Sequence, residues 1–238
     1  MKKYIDILTE IDENSKKQEA AKTRREQAQQ AFNIWYDGLN FKDRKKKKEA
    51  NPEEAERLIN AISEAEAEET RINKIAAILN DNARAAFTAE NLPAIIEVIN
   101  KYTGKKIGEK TREKICAEIE TATGCGFWFA SDFGSITFYD KTRENCGICW
   151  CAYETTLYIS YSKRDQLFDE NGKFTSLTLD DLPIYQKYFD DPAAAVDKAE
   201  ALKKEIEAEA EKINNLIAEY TKTTPSTAAH PGRIWIRF

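Results

Sequence analysis

Histidine is almost absent: His230 is the only one in 238 residues, and it lies in the Thr/Pro-rich stretch 223–232. Dyads and triads built on histidine need an imidazole held by a third group in a packed site. A histidine between alanine and proline in such a stretch reads as a linker residue instead. Glycine is also scarce, at nine residues, and no Gly-x-Gly-x-x-Gly, Walker-type or His-Glu-x-x-His pattern occurs. No long apolar run exists either. The longest uncharged stretch, Thr121 to Ser131, has 11 residues, well short of a membrane span. Lys2 and Lys3 are not followed by the apolar stretch of a secretion signal, so a cytoplasmic location is expected. Carboxylates, cysteine and tyrosine are what remain for catalysis. The chain reads as a binding protein rather than an enzyme.

What is present suits a folded chain. The sequence is 42% hydrophobic and 11% aromatic, enough to build a core. Acidic residues number 41 against 36 basic, for a net charge of −5. That balance argues against a surface given over wholly to nucleic acid, while leaving room for a local basic patch.

Three segments read as long helices. From Asn51, Pro52 and three early glutamates, inward positions step by four and three, with one acidic interruption: Leu58, Ile62, Ala65, Glu69, Ile72, Ala76, Leu79, Ala83 and Ala86. This is a heptad seam, with Asn51 as the expected cap and an end near Phe87. The C-terminal helix, capped by Asp191 and opened by Pro192, repeats the pattern at Ala199, Leu202, Ile206, Glu209, Ile213, Leu216 and Tyr220. The first helix, residues 3–35, is more polar, and the same stepping gives Tyr4, Leu8, Ile11, Ser15, Gln18, Lys22, Arg25, Gln29, Phe32 and Tyr36. Folded back antiparallel with Tyr36 beside Leu58, it brings Arg25 against Glu69, a pair that would penalise a slipped register.

Two shorter helices, residues 88–102 and 109–121, follow, the second with Ile115, Ile119 and Ala122 inward. The intervening Gly104-Lys105-Lys106-Ile107-Gly108 reads as a tight turn or a small anion site. From Gly124 to Ser162, aromatic and β-branched residues dominate, which predicts strands. Residues 127–130 and 136–139 flank a five-residue loop, residues 150–153 and 156–161 continue the sheet, and Asp169–Lys173 forms a further turn. A short helix at 182–189 and an edge strand at 234–238 complete the chain. The predicted fold is α+β, mainly α: long antiparallel coiled-coil helices, an N-terminal hairpin plus a C-terminal helix, with a small antiparallel β-sheet insert. Its predicted divisions are a hairpin at 1–87, a compact α+β part at 88–191, and a helix with tail strand at 192–238.

Four groups of residues carry possible chemistry. Lys45, Lys46, Lys47 and Lys48, inside the run 42–48, read as a basic fingertip for phosphate or as a solvated helix end. Cys146 and Cys149 have the spacing of a metal knuckle, and with Cys125 and Cys151 they are the candidate zinc ligands. Small buried thiols, with no cofactor at all, are the simpler reading of the five cysteines. Asp132, Phe133, Glu144 and Tyr153 fall in an acidic, aromatic stretch where residues 124–191 carry 11 acids against 6 bases. They are the candidate contacts for a protein partner, since acidic strands repel phosphate. Asp180-Asp181 and Asp190-Asp191 read as helix caps.

The stretches Leu79-Asn80-Asp81-Asn82-Ala83-Arg84 and Lys101-Tyr102-Thr103-Gly104-Lys105-Lys106-Ile107-Gly108-Glu109-Lys110-Thr111 resemble small uncharacterised proteins of clostridial phages and prophages. The resemblance implies an accessory phage protein of the bacterial cytoplasm. Such proteins include inhibitors of host defence, anti-CRISPR proteins among them, which act mostly by binding. The resulting expectation is a non-enzymatic inhibitor occupying a basic site on a bacterial host protein, with no membrane partner and with a homodimer allowed. The alternative is a nucleic-acid-binding module using the lysine tip.

Overall fold

A computed structural model describes residues 1–130, 135–141, 157–160, 168–178 and 188–223. The chain groups into two compact units, residues 1–190 and 191–238. The first unit is a helical hairpin rooted in a compact α+β end. Helix α1 (Tyr4–Trp35) packs antiparallel along α3 (Pro52–Asn100), with the short helix α2 (Phe41–Ala50) between them in sequence.

The expected α3 seam is correct at every position. Leu58, Ala65, Ile72, Leu79, Ala83 and Ala86 are buried, and Ile62, Glu69 and Ala76 are half-buried. In α1 the seam follows Tyr4, Ile11, Gln18, Arg25 and Phe32 as predicted, and Leu8 and Tyr36 at the two ends of its other line are buried as predicted. Between them that line lies one residue earlier, at Asn14, Ala21 and Ala28, with Ile7 buried beside Leu8. Ser15, Lys22 and Gln29 are exposed. Small alanines let two helices approach closely, whereas a lysine or glutamine at that depth would need to be desolvated.

Arg25 Nε reaches Glu69 Oε2 at 2.5 Å, as the folded-back register predicts, in an ion pair without the alignment of a hydrogen bond. Its neighbour Arg24 grips both oxygens of Glu68 at 2.9 Å. Gln18 donates to Asn73 at 2.8 Å one step further along. This polar ladder replaces apolar contacts in the middle of the stalk and specifies register more than it adds stability.

The break expected after Phe87 does not occur. Helix α3 runs on through Pro93 to Asn100. Pro93 removes one helical donor, and the carbonyl it leaves belongs to exposed Ala89, where water can serve it. Burial of Leu92, Ile95, Ile96, Val98 and Ile99 on both sides of the proline holds the helix together. Asn51 also departs from its expected role. Its side chain caps nothing on α3 and instead donates to the Lys47 carbonyl.

Helix α4 (Glu109–Thr123) buries Ile115 and Ile119, while Ala122 is exposed, contrary to its expected inward position. It ends at Gly124, whose φ of 75° is the left-handed turn that glycine adopts without strain. Strands β1 (Cys125–Ala130), β2 (Ser135–Asp140) and β3 (Leu157–Ser160) form an antiparallel sheet in the order β1-β2-β3. In place of the expected five-residue hairpin loop, Ser135 pairs with Ala130, leaving four residues between the strands. Cys125, Phe127 and Phe138 share the inner face and join the core with Tyr4, Ile7, Phe87 and Ile95. On the other face Gly126 lies beneath the Tyr139 ring, which leaves no room for a Cβ.

The turn at residues 169–173 is as predicted. Asp169 Oδ1 accepts the amides of Asn171 and Lys173, and Gly172 has φ of 70°. The expected strands at 150–153 and 234–238 and the helix at 182–189 lie wholly or mostly outside the described residues.

Two asparagines of α3 perform a task that the sequence reading missed. Buried Asn82 donates to the Phe189 carbonyl and accepts the Phe189 amide, both at 2.8 Å. Asn100 makes the same reciprocal pair with Leu177, also at 2.8 Å. Eighteen residues are five helical turns, so both amides lie on one face of α3. Each amide side chain imitates a strand's backbone and so anchors a segment that has no strand partner there. Asn82→Ala leaves a part-buried donor and acceptor unmade and is expected to destabilise by about 1–3 kcal/mol. Urea unfolding of the variant at an unchanged midpoint would show that the clamp contributes nothing.

The second unit contains helix α5 (Pro192–Thr223). Asp191 caps it as predicted, its Oδ1 accepting the amides of Ala193 and Ala194 at 3.0 Å. No helix among the described residues is long and apolar enough to cross a membrane.

Candidate functional site: the basic tip of the hairpin

The run 42–48, expected as a hairpin tip or a last helical turn, forms a helix of its own. Asn40 starts α2, accepting the Asp43 amide on its side chain at 3.1 Å and donating to the Asp43 carboxylate at 2.6 Å. Asp43 in the first turn and Lys47 and Lys48 in the last turn complement the helix dipole. Lys45 and Glu49, one turn apart, approach to 4.0 Å. These terms offset the repulsion of six basic side chains in ten residues.

Two of the six are structural. Helix α1 has no basic residue in its last turn, so its final carbonyls need donors from elsewhere. Lys47 supplies one, donating to the Trp35 carbonyl and standing over the Trp35 ring at 5.1 Å. Arg44 donates to the Leu39 carbonyl at 2.9 Å and lies 5.6 Å from the Tyr36 ring centroid. Gly38, at φ 69°, allows the turn between the two helices. Lys47, expected among the fingertip contacts, therefore faces inward and helps close the hairpin.

The others face water. Lys42, Lys45, Lys46 and Lys48 are all exposed, and Phe41 is 85% exposed. Phe41, Lys45 and Lys48 follow i, i+4, i+7 spacing and so form one stripe, with Lys42 and Lys46 on its flank. The outward set thus keeps Lys45, Lys46 and Lys48 of the sequence-predicted group, loses Lys47, and gains Lys42. Helix α2 holds six basic and two acidic side chains in a chain of net charge −5, leaving −9 for the rest.

In the Gly104–Gly108 loop two amides are already engaged within the chain. The Gly104 amide donates to the Phe174 carbonyl at 2.7 Å and the Lys105 amide to the Tyr102 carbonyl at 3.0 Å. Lys105 itself stands 4.9 Å from the Tyr102 ring. Buried Tyr102 donates to Glu118 at 2.6 Å. Burial, then that bond to Glu118, pushes the phenol up to about 12, and the same bond holds Glu118 below its ordinary value. A raised folded value means that the Tyr102 contribution is complete below about pH 10 and is lost as pH rises towards 12. Tyr102→Phe is expected to flatten the fall of melting temperature between pH 10 and 12. An alkaline profile identical to the parent's would rule this bond out as its source.

The cysteines divide. Cys125 is buried and Cys116 half-buried, and burial raises both thiols above their ordinary range, which suits unreactive core thiols. The other proposed zinc ligands, Cys146, Cys149 and Cys151, lie outside the described residues. Among the described residues, no three histidine, cysteine or acidic side chains cluster to hold a metal. The predicted partner contacts Asp132, Phe133, Glu144 and Tyr153 also lie outside them, as do Asp180 and Asp181.

No protein family, curated protein or solved structure matches this chain.

Proposed function

We propose that this chain is a non-enzymatic binding protein that presents the α2 tip to the phosphate backbone of single-stranded nucleic acid. The carrying observation is the stripe formed by Phe41, Lys45 and Lys48, with Lys42 and Lys46 beside it, all exposed at the turn of the hairpin. Lysine is depleted at protein–protein interfaces and common on phosphate, so the composition of the tip favours phosphate over an acidic protein surface. An exposed phenylalanine next to these ammonium groups offers a base a face to stack on, a contact that tolerates any sequence. The remaining charge of −9 confines a polyanion to the tip and limits the contact to a few nucleotides.

Lysine footprinting tests this reading. With a short single-stranded oligonucleotide bound, Lys42, Lys45, Lys46 and Lys48 should be protected from acetylation, and Lys16 and Lys17 should react as before. Uniform reactivity along the chain would remove the tip from the account.

A second reading is favoured by the negative charge outside α2. In it, the chain is a phage accessory inhibitor that covers a basic site on a host protein, with Asp132, Phe133, Glu144 and Tyr153 as the contacts. Its support is that charge together with the resemblance over residues 79–111. Charge reversal at Asp132 and Glu144 should then abolish capture of the host partner.

A further inference from the structure

Helix α5 carries a regular apolar stripe that is open to water. Leu202 is 56% exposed, Ile206 36%, Ile213 40% and Leu216 65%, and every residue from 201 to 209 is exposed. In proteins most helical stability comes from packing an apolar face rather than from propensity, so an open stripe of this kind calls for a cover. The stripe follows strict heptad spacing, with Ala199, Ile206, Ile213 and Tyr220 on one line and Leu202, Glu209 and Leu216 on the other. That is the apolar seam of a coiled coil, with Ile206 and Ile213 on one line and Leu202 and Leu216 on the other.

We infer that α5 pairs antiparallel with α5 of a second copy of this chain. The flanking charges decide the direction. In a parallel pair, the Glu209 side chains of the two copies would face each other in the seam, and Lys198 would lie beside the partner's Lys203, two like-charge contacts. Antiparallel pairing removes both. With Leu202 packed on the partner's Ile213, Ala199 meets the partner's Leu216 and Ile206 meets the partner's Glu209. In this register Glu205 comes beside the partner's Lys212, twice by symmetry, and Lys198 comes beside the partner's Glu219. All these flanking contacts join opposite charges. Glu209 brings its own counter-ion into the seam, since Lys212 on the same helix reaches it at 3.1 Å.

The test is sedimentation equilibrium of the full chain over a concentration series at low salt. The parent should show a monomer–dimer equilibrium, and Ile206→Lys/Ile213→Lys should be monomeric throughout. Glu205→Lys leaves the seam untouched and gains an intrahelical partner in Glu209, yet it faces the partner's Lys212. It should weaken the dimer about tenfold or more, and adding Lys212→Glu should restore the parent affinity to within about threefold. A parent that stays monomeric, or a seam variant that still dimerises, would overturn the inference. So would a Glu205→Lys dimer as tight as the parent's, because parallel pairing sets Glu205 and Lys212 beside neutral Ala210 and Ile217.

Discussion

Replacing Lys42, Lys45, Lys46 and Lys48 with glutamine is expected to weaken binding of a short single-stranded oligonucleotide by about 100- to 1,000-fold at 0.1 M salt. The size follows from counterion release. Four phosphate contacts on a single strand give log K a slope of roughly −3 against log salt, so at 0.1 M they contribute about three decades relative to 1 M. Glutamine has nearly the helix propensity of lysine, and Asn40, Asp43, Arg44 and Lys47, which build α2 and its contacts with the end of α1, are left in place. The folded hairpin should therefore survive, with an unchanged circular dichroism spectrum. Phe41→Ala should act separately, weakening binding by about 1–3 kcal/mol through lost stacking while leaving the salt slope alone. Fluorescence anisotropy measures both effects. A glutamine variant that binds as tightly as the parent would mean that the tip lysines are merely solvated.

The largest expected loss of stability comes from Phe138→Ala, at about 3–5 kcal/mol. Phe138 is fully buried on the middle strand of the sheet, opposite Phe127 with ring centroids 5.6 Å apart. Its ring lies in the core that ties the sheet to the root of α1 and to the buried end of α3. A cavity there lies between elements fixed from several sides, so the site has little freedom to collapse. Phe138→Leu keeps more of the volume and should cost clearly less. Chemical unfolding with near-ultraviolet dichroism reads both variants, and equal midpoints for parent and Phe138→Ala would place the core elsewhere.

How legible each part was depends on how strongly one physical requirement shaped the residues. The α3 seam was readable because nine positions alternate at three and four residues and eight of them, all but Glu69, are apolar. The same stepping in α1 held at both ends but was misplaced by one residue along the middle of one of its two lines. The middle of that helix is polar, and the deciding feature was the small size of Ala21 and Ala28 rather than their hydrophobicity. Arg25 and Glu69 were paired correctly because a charge in a seam needs an opposite charge at a definite height. The end expected near Phe87 was false, since the burial of Phe87, Thr88 and Leu92 that carries the helix on is a tertiary effect that local rules do not contain. Asn82 and Asn100 were invisible for a related reason. An amide in a helix has no periodic signature, and its partners lie 107 and 77 residues away.

The tip was half legible. A run of lysines announces a basic patch, but which of them face outward depends on α2 being a helix and on the unpaired carbonyls at the end of α1. Lys47 satisfies one of those carbonyls and so leaves the outward set. Lys42 and Phe41 join that set because the helix places them beside Lys45 and Lys48.

The measurement closest to the central claim is the affinity of the full chain for a short single-stranded oligonucleotide as a function of salt. Contact through the four outward lysines predicts a straight line of log K against log salt with a slope of about −3. The glutamine variant should lose nearly all of that slope. A parent slope near zero, or no binding at low salt, would contradict the proposal that the hairpin tip grips phosphate.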